Sequence, residues 1–131
     1  MHNPNQTSTA ALSVLIILQL VMLTALYAGV PPHPPAATPL FGIAPLLGAS
    51  LSAAAAAIVL GSNASRAGRL LSLAATVMAL ISFGPQKYFD AQFGLIWPAV
   101  IAGQIASLAV ISSLVSGSRF ASAAEPKGQE A

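Results

Sequence analysis

The chain has 131 residues, of which 56% are hydrophobic and only 6% charged, with a formal net charge of +2 and no cysteine. A soluble domain carries about 25% charged residues, so this composition cannot cover a water-facing surface, and without cysteine there are no disulfides, thiolate metal sites, iron–sulfur clusters or cysteine nucleophiles. A charge of +2 is too small to argue for nucleic acid as a partner, and the five basic residues serve better to orient the chain.

Four apolar segments follow one another, and none holds an Asp, Glu, Lys, Arg or His in its central stretch. The first runs from about Ala10 to Val30 and is stopped by Pro31 and Pro32. At about 1.5 Å per residue it covers about 30 Å, the thickness of a hydrocarbon core. A secretory signal peptide is the competing reading. It is weakened by the absence of Lys and Arg from the stretch MHNPNQTST and by the three apolar segments that follow.

The second segment, 40–61, opens with Thr38 as a candidate N-cap and Pro39 at the first helical position. Pro45 is expected to bend this helix or postpone its regular start, because it cannot donate to the carbonyl of Phe41. The third segment, 69–84, is the shortest, and Arg69 and Lys87 at its flanks are expected to snorkel outward. The fourth, 91–116, is capped by Asp90 and passes Pro98, with residues 91–97 assigned to the interface. From Ser118 onward the chain reads as a disordered polar tail. The fold expected is therefore all-α: one domain over 1–131, a four-transmembrane-helix bundle with short loops.

With four crossings, Arg66, Arg69, Arg119 and Lys127 share one face and Lys87 alone marks the other. This bias predicts cytoplasmic N- and C-termini in a bacterial inner membrane. Seven of the eight aromatic residues (Tyr27, Phe41, Phe83, Tyr88, Phe89, Phe93 and Trp97) fall at the outer ends of their segments, and Phe120 alone at the inner end. An interfacial belt accounts for them. The sharper alternative is an outer docking surface built from His33, Lys87, Tyr88, Asp90 and Trp97. His33 sits in the run Pro31-Pro32-His33-Pro34-Pro35, which reads as a stiff connector and, alternatively, as a preformed polyproline recognition element. Lys87 and Asp90 are expected to pair at an exposed site, contributing under about 1 kcal/mol.

Gln19 and Gln104 fall near mid-depth of the first and fourth segments. They are expected to meet across an antiparallel pair, as structural glue or as the lining of a pocket for a small neutral lipophilic ligand. Small residues predict the packing faces: Gly48, Ser52 and Ala56 at four-residue spacing on the second helix, Ala99, Gly103 and Ser107 in the same register on the fourth, and Ser72, Thr76 and Ala79 on the third. The bulky first helix is then expected to face lipid. The Asn5-Gln6-Thr7 and Asn63-Ala64-Ser65 glycosylation patterns read as chance matches on the inner side.

No phosphate-binding glycine loop, nucleophile elbow, zinc motif or carboxylate pair is present, since the only acids are Asp90, Glu125 and Glu130. The sequence therefore predicts no catalytic residues, no metal and no cofactor. It predicts a non-enzymatic membrane subunit that assembles with itself or with another membrane protein among membrane lipids. An ion-coupled transporter or membrane enzyme is disfavoured by the lack of buried titrating groups.

Overall fold

In the computed structural model, which describes residues 3–30 and 39–124, the first helix begins in the polar stretch rather than at the apolar run. Helix α1 spans Pro4–Ala28. The Asn3 side chain accepts from the Asn5 amide at 3.0 Å, and Pro4 occupies the first turn, where its missing N–H costs nothing. At the other end Gly29 takes the left-handed conformation (φ 64°). The amides of Val30 and Gly29 return to the carbonyls of Ala25 and Leu26, closing a Schellman motif.

Helix α2 spans Leu40–Val59. Pro39, expected inside it, stands at the N-cap position in extended conformation, and the helix is already formed ahead of Pro45, which therefore does not postpone its start. The chain leaves α2 through Gly61 (φ 82°) and enters α3, Arg66–Phe83, where Ser65 Oγ accepts from the Gly68 amide at 2.9 Å. A short 3-10 turn, Pro85–Phe89, follows. Gln86 Nε2 reaches back to the carbonyls of Leu80 and Ile81, satisfying acceptors that the end of α3 leaves open.

Helix α4 spans Phe93–Ala123 and departs from expectation at both ends. Asp90 forms an Asx turn, its Oδ1 accepting from the Gln92 amide at 2.9 Å, and Gln92 rather than Asp90 occupies the N-cap position. At the other end the helix runs through Gly117 to Ala123, so the polar tail expected from Ser118 is helical over its first six residues. Gly117 does not break the helix because it is needed where it is: a Cβ there would fall 2.7 Å from Asn63 Oδ1. The proline-rich run with His33, Thr38 and residues 125–131 lie outside the described residues.

Each of the four helices is long and apolar enough to cross a membrane. They form an up-down-up-down ring in which every helix packs against its chain neighbours and α4 closes back on α1, while α1 and α3 touch lightly across the diagonal. We call the end holding the start of α1 and the end of α4 proximal, and the opposite end distal.

Two expectations about packing are corrected. Helix α1 belongs to the core: its Leu12 and Leu15 are fully buried among Ala54, Ala57, Ala75, Ala79, Ala106 and Val110 of the other three helices. Where three helices present mainly alanine, the fourth must supply volume to reach native packing density, and Leu12 and Leu15 of α1 are the fully buried leucines of this cluster. The inward row of α2 is Leu47, Ser50, Ala54 and Ala57, not Gly48, Ser52 and Ala56. On α3 the expected row of Ser72, Thr76 and Ala79 is buried, and on α4 so are Gly103 and Ser107, with Ala99 half-buried beside them.

Candidate functional site

Polar side chains inside the bundle gather at three levels. At mid-height, Gln19 is 1% exposed and is bonded to Ser50 of α2, not to Gln104. Gln19 Nε2 donates to Ser50 Oγ at 2.8 Å, and the Ser50 hydroxyl has Gln19 Oε1 at 3.0 Å and the Ala75 carbonyl at 3.3 Å as acceptors. One hydroxyl thus ties α1, α2 and α3 together. An unpartnered amide in an apolar interior costs several kcal/mol, and that penalty selects the rotation of α2 that turns Ser50 inward, leaving Ser52 exposed and Gly48 half-buried.

At the proximal end a larger network joins α1, the α2–α3 turn, α3 and α4. Asn5 Oδ1 accepts from the Asn63 amide at 2.9 Å, Thr9 and Ser62 hydroxyls share a bond of 2.9 Å, and Ser72 Oγ donates to the Ser62 carbonyl at 2.8 Å. Asn63 Nδ2 crosses to the Ser113 carbonyl of α4 at 2.6 Å. The two asparagines of the glycosylation patterns are therefore engaged in helix-to-helix bonds. Asn63→Ala, which removes the one side-chain bond that joins this loop to α4 among the described residues while leaving the Asn5 contact, is expected to lower unfolding stability by about 1–2 kcal/mol. Denaturant unfolding of the purified variant measures it.

At the distal end Gln104 Oε1 accepts from Tyr88 at 2.7 Å and its Nε2 donates to the Phe83 carbonyl at 3.2 Å. The Tyr88 ring leans on Phe93 with centroids 5.1 Å apart. Lys87 and Asp90 pair at 3.3 Å, and both side chains are less than one-fifth exposed, so this pair is more sheltered than the sequence suggests. Of the expected docking residues, Lys87, Tyr88 and Asp90 thus bond within the chain, Trp97 remains half exposed, and His33 lies outside the described residues. Phe83 is buried, whereas Tyr27, Phe41 and Phe89 project outward.

The Gln19–Gln104 pocket does not form, since each amide is committed to a different partner at a different height. The structure instead opens an apolar cavity of about 300 Å3 between the distal halves of α1 and α4, lined by Leu18, Met22, Ala25, Ala99 and Val100 and closed toward α3 by Ser82. Sequence reasoning missed Ser50, Ser62 and Ser82. The need of Gln19 for a partner was the one available pointer to Ser50, while a serine in an alanine-rich helix carries no mark of its own.

Amides and hydroxyls do not titrate usefully near neutrality, so these clusters hold geometry and hydrogen-bond neighbours rather than move protons. Comparison with protein-family models, with curated proteins and with solved structures found no match for the chain.

Proposed function

We propose that the chain is a multi-pass protein of the bacterial inner membrane with both termini in the cytoplasm, acting as a non-enzymatic subunit that assembles with itself or with a larger membrane complex. The orientation rests on charge: Arg66, Arg69 and Arg119 stand at the proximal end and Lys87 at the distal end, and cytoplasmic loops carry the excess of basic residues. The outward rings of Tyr27, Phe41 and Phe89 suit the outer interface.

One observation carries the assembly reading. The small-residue row of α2 that the fold leaves out of the core is exposed at Ala49, Ser52 and Ala55 and half-buried at Gly48 and Ala56. A Cβ at Gly48 would meet no heavy atom within 4 Å. Ser52 is exposed, and its hydroxyl bonds none of the described residues, unlike Thr24, Ser112 and Ser116, which bond a carbonyl one turn back. In lipid such a row lets another helix approach to backbone contact, and a spare hydroxyl there gains by finding a partner.

Because the chain has no cysteine, Ser52→Cys provides a single crosslinking point. Oxidation in membranes is expected to trap a dimer or a heavier adduct with a partner protein. Gly48→Leu in the same background is expected to reduce the trapped species about fivefold or more, the effect of losing about 1 kcal/mol of helix contact. Recovery of only uncrosslinked monomer, with no co-purifying protein, would sink the assignment.

A further inference from the structure

The cavity between α1 and α4 has one polar group on its described wall, the Ser82 hydroxyl. Ser82 is only 9% exposed, yet its hydroxyl makes no bond with the described residues, whereas Thr76, Ser107 and Ser113 each turn theirs onto a carbonyl of the preceding turn. A helical serine commonly makes that local bond. One that leaves it unmade while facing an apolar space presents a donor and an acceptor to whatever fills the space.

The space itself is selective. At about 300 Å3 it has twice the volume of an engineered 150 Å3 cavity that admits benzene, enough for about a dozen non-hydrogen atoms. Among the described residues no charged side chain lines it, so an ionised ligand would find no described counter-charge and would enter at high cost. The lining residues on α1 run from Leu18 to Ala25, about 10 Å of helix, with Val30 beyond, which suits a slender molecule lying along the helix axis. A phospholipid tail in the same place would offer the Ser82 hydroxyl only methylene groups and no hydrogen-bond partner.

We propose that this cavity binds a neutral, chain-like lipophile of about a dozen carbons bearing a hydroxyl or carbonyl group, which the Ser82 hydroxyl recognises. The site is separate from the α2 ridge that carries the assembly reading, and it uses neither Gln19 nor Gln104.

Photolabelling of the purified full chain in maltoside detergent tests it, with a diazirine-bearing dodecanol as probe and the matching diazirine-bearing dodecane as reference. Peptide mapping is expected to place the label within 18–25 and 95–100. The alcohol is expected to label about fivefold more strongly than the alkane, the ratio that one ordinary hydrogen bond produces. Ser82→Ala should erase that preference without changing thermal unfolding, and Ala99→Phe, which fills the cavity, should abolish labelling by both probes. Ala25→Phe serves the same purpose if Ala99→Phe does not fold. Equal labelling by alcohol and alkane in the unaltered chain would assign the cavity to lipid tails, and labelling of 18–25 that survives the filling variant would show that the probe binds elsewhere. Either result overturns the proposal, as does an absence of labelling in the unaltered chain, and none of them bears on whether Ser52→Cys forms crosslinks.

Discussion

Gly68→Ala is expected to destabilise the bundle by about 3 kcal/mol or more, at the upper end of overpacking costs. A methyl group at this position would collide with the Gly61 carbonyl oxygen and with Ser65 Oγ, the atom that caps α3. The obstacle is backbone, and it cannot move easily. Gly61 is itself held in a left-handed conformation, and its carbonyl accepts from the amides of Ala64 and Ser65. Relief would require opening the α2–α3 turn and, with it, the Ser62 and Asn63 bonds to α1 and α4. Gly94→Ala is the control. No atom lies within 4 Å of a Cβ there, so removing glycine from a helix is expected to stabilise by about 0.5–1 kcal/mol. Chemical denaturation of the two variants side by side measures the contrast, and equal stabilities would refute the described turn.

Leu15→Ala is expected to cost about 2–5 kcal/mol, and Leu12→Ala about the same. Both side chains are fully buried, and most of the buried residues clustered with them are alanines, which have no side-chain freedom with which to close the void. Ile17, one residue past Ile16 on the same helix, is 60% exposed, and Ile17→Ala is expected to change stability by no more than about 0.5 kcal/mol. This pair separates the two placements of α1. A helix on the periphery would make the Leu15 and Ile17 losses alike, whereas a helix that fills the core makes them differ several-fold.

Much of the architecture was legible because it follows from composition and chain length. Runs of apolar residues long enough to cross a membrane must satisfy their backbone internally, and helices do so within one segment. Pro39, Gly61, Gly84 and Asp90 therefore fall close to the ends of the helices that they were expected to delimit. The errors at the ends have local causes. Asn3 and Pro4 start α1 early through a cap and a proline that suit polar sequence as well as apolar, and α4 outlasts Ser118 because Gly117 is required against Asn63 and not as a stop.

The candidate sites were less legible. That Gln19 and Gln104 each need a partner is evident from their place in apolar segments, but the identity of the partner is not. Depth matching admits Gln104 for Gln19 as readily as Ser50, and only the arrangement of the ring, in which α1 meets α2 and α3 at the level of Gln19, decides for Ser50. Likewise the small-residue rows find Ser72, Thr76 and Ala79 on α3, whose inward side is the small one, and fail on α2, where small residues occur on nearly every side.

What the amino-acid order determined by itself is the number of helices, their approximate limits and the lack of Asp, Glu, Lys, Arg and His in their central stretches, because each depends on hydrophobicity summed over a window and on local caps. What only the tertiary structure decided is which face of each helix turns inward, and hence that α1 supplies the core, that Ser50 answers Gln19, and that Gly48 and Ser52 out of the core and Ser82 beside a cavity are left over. The physical reason is that an alanine-rich helix is apolar in every direction: nothing in its own sequence prefers one rotation about its axis, so the choice falls to a few hydrogen bonds and to the volume of the leucines packed against it.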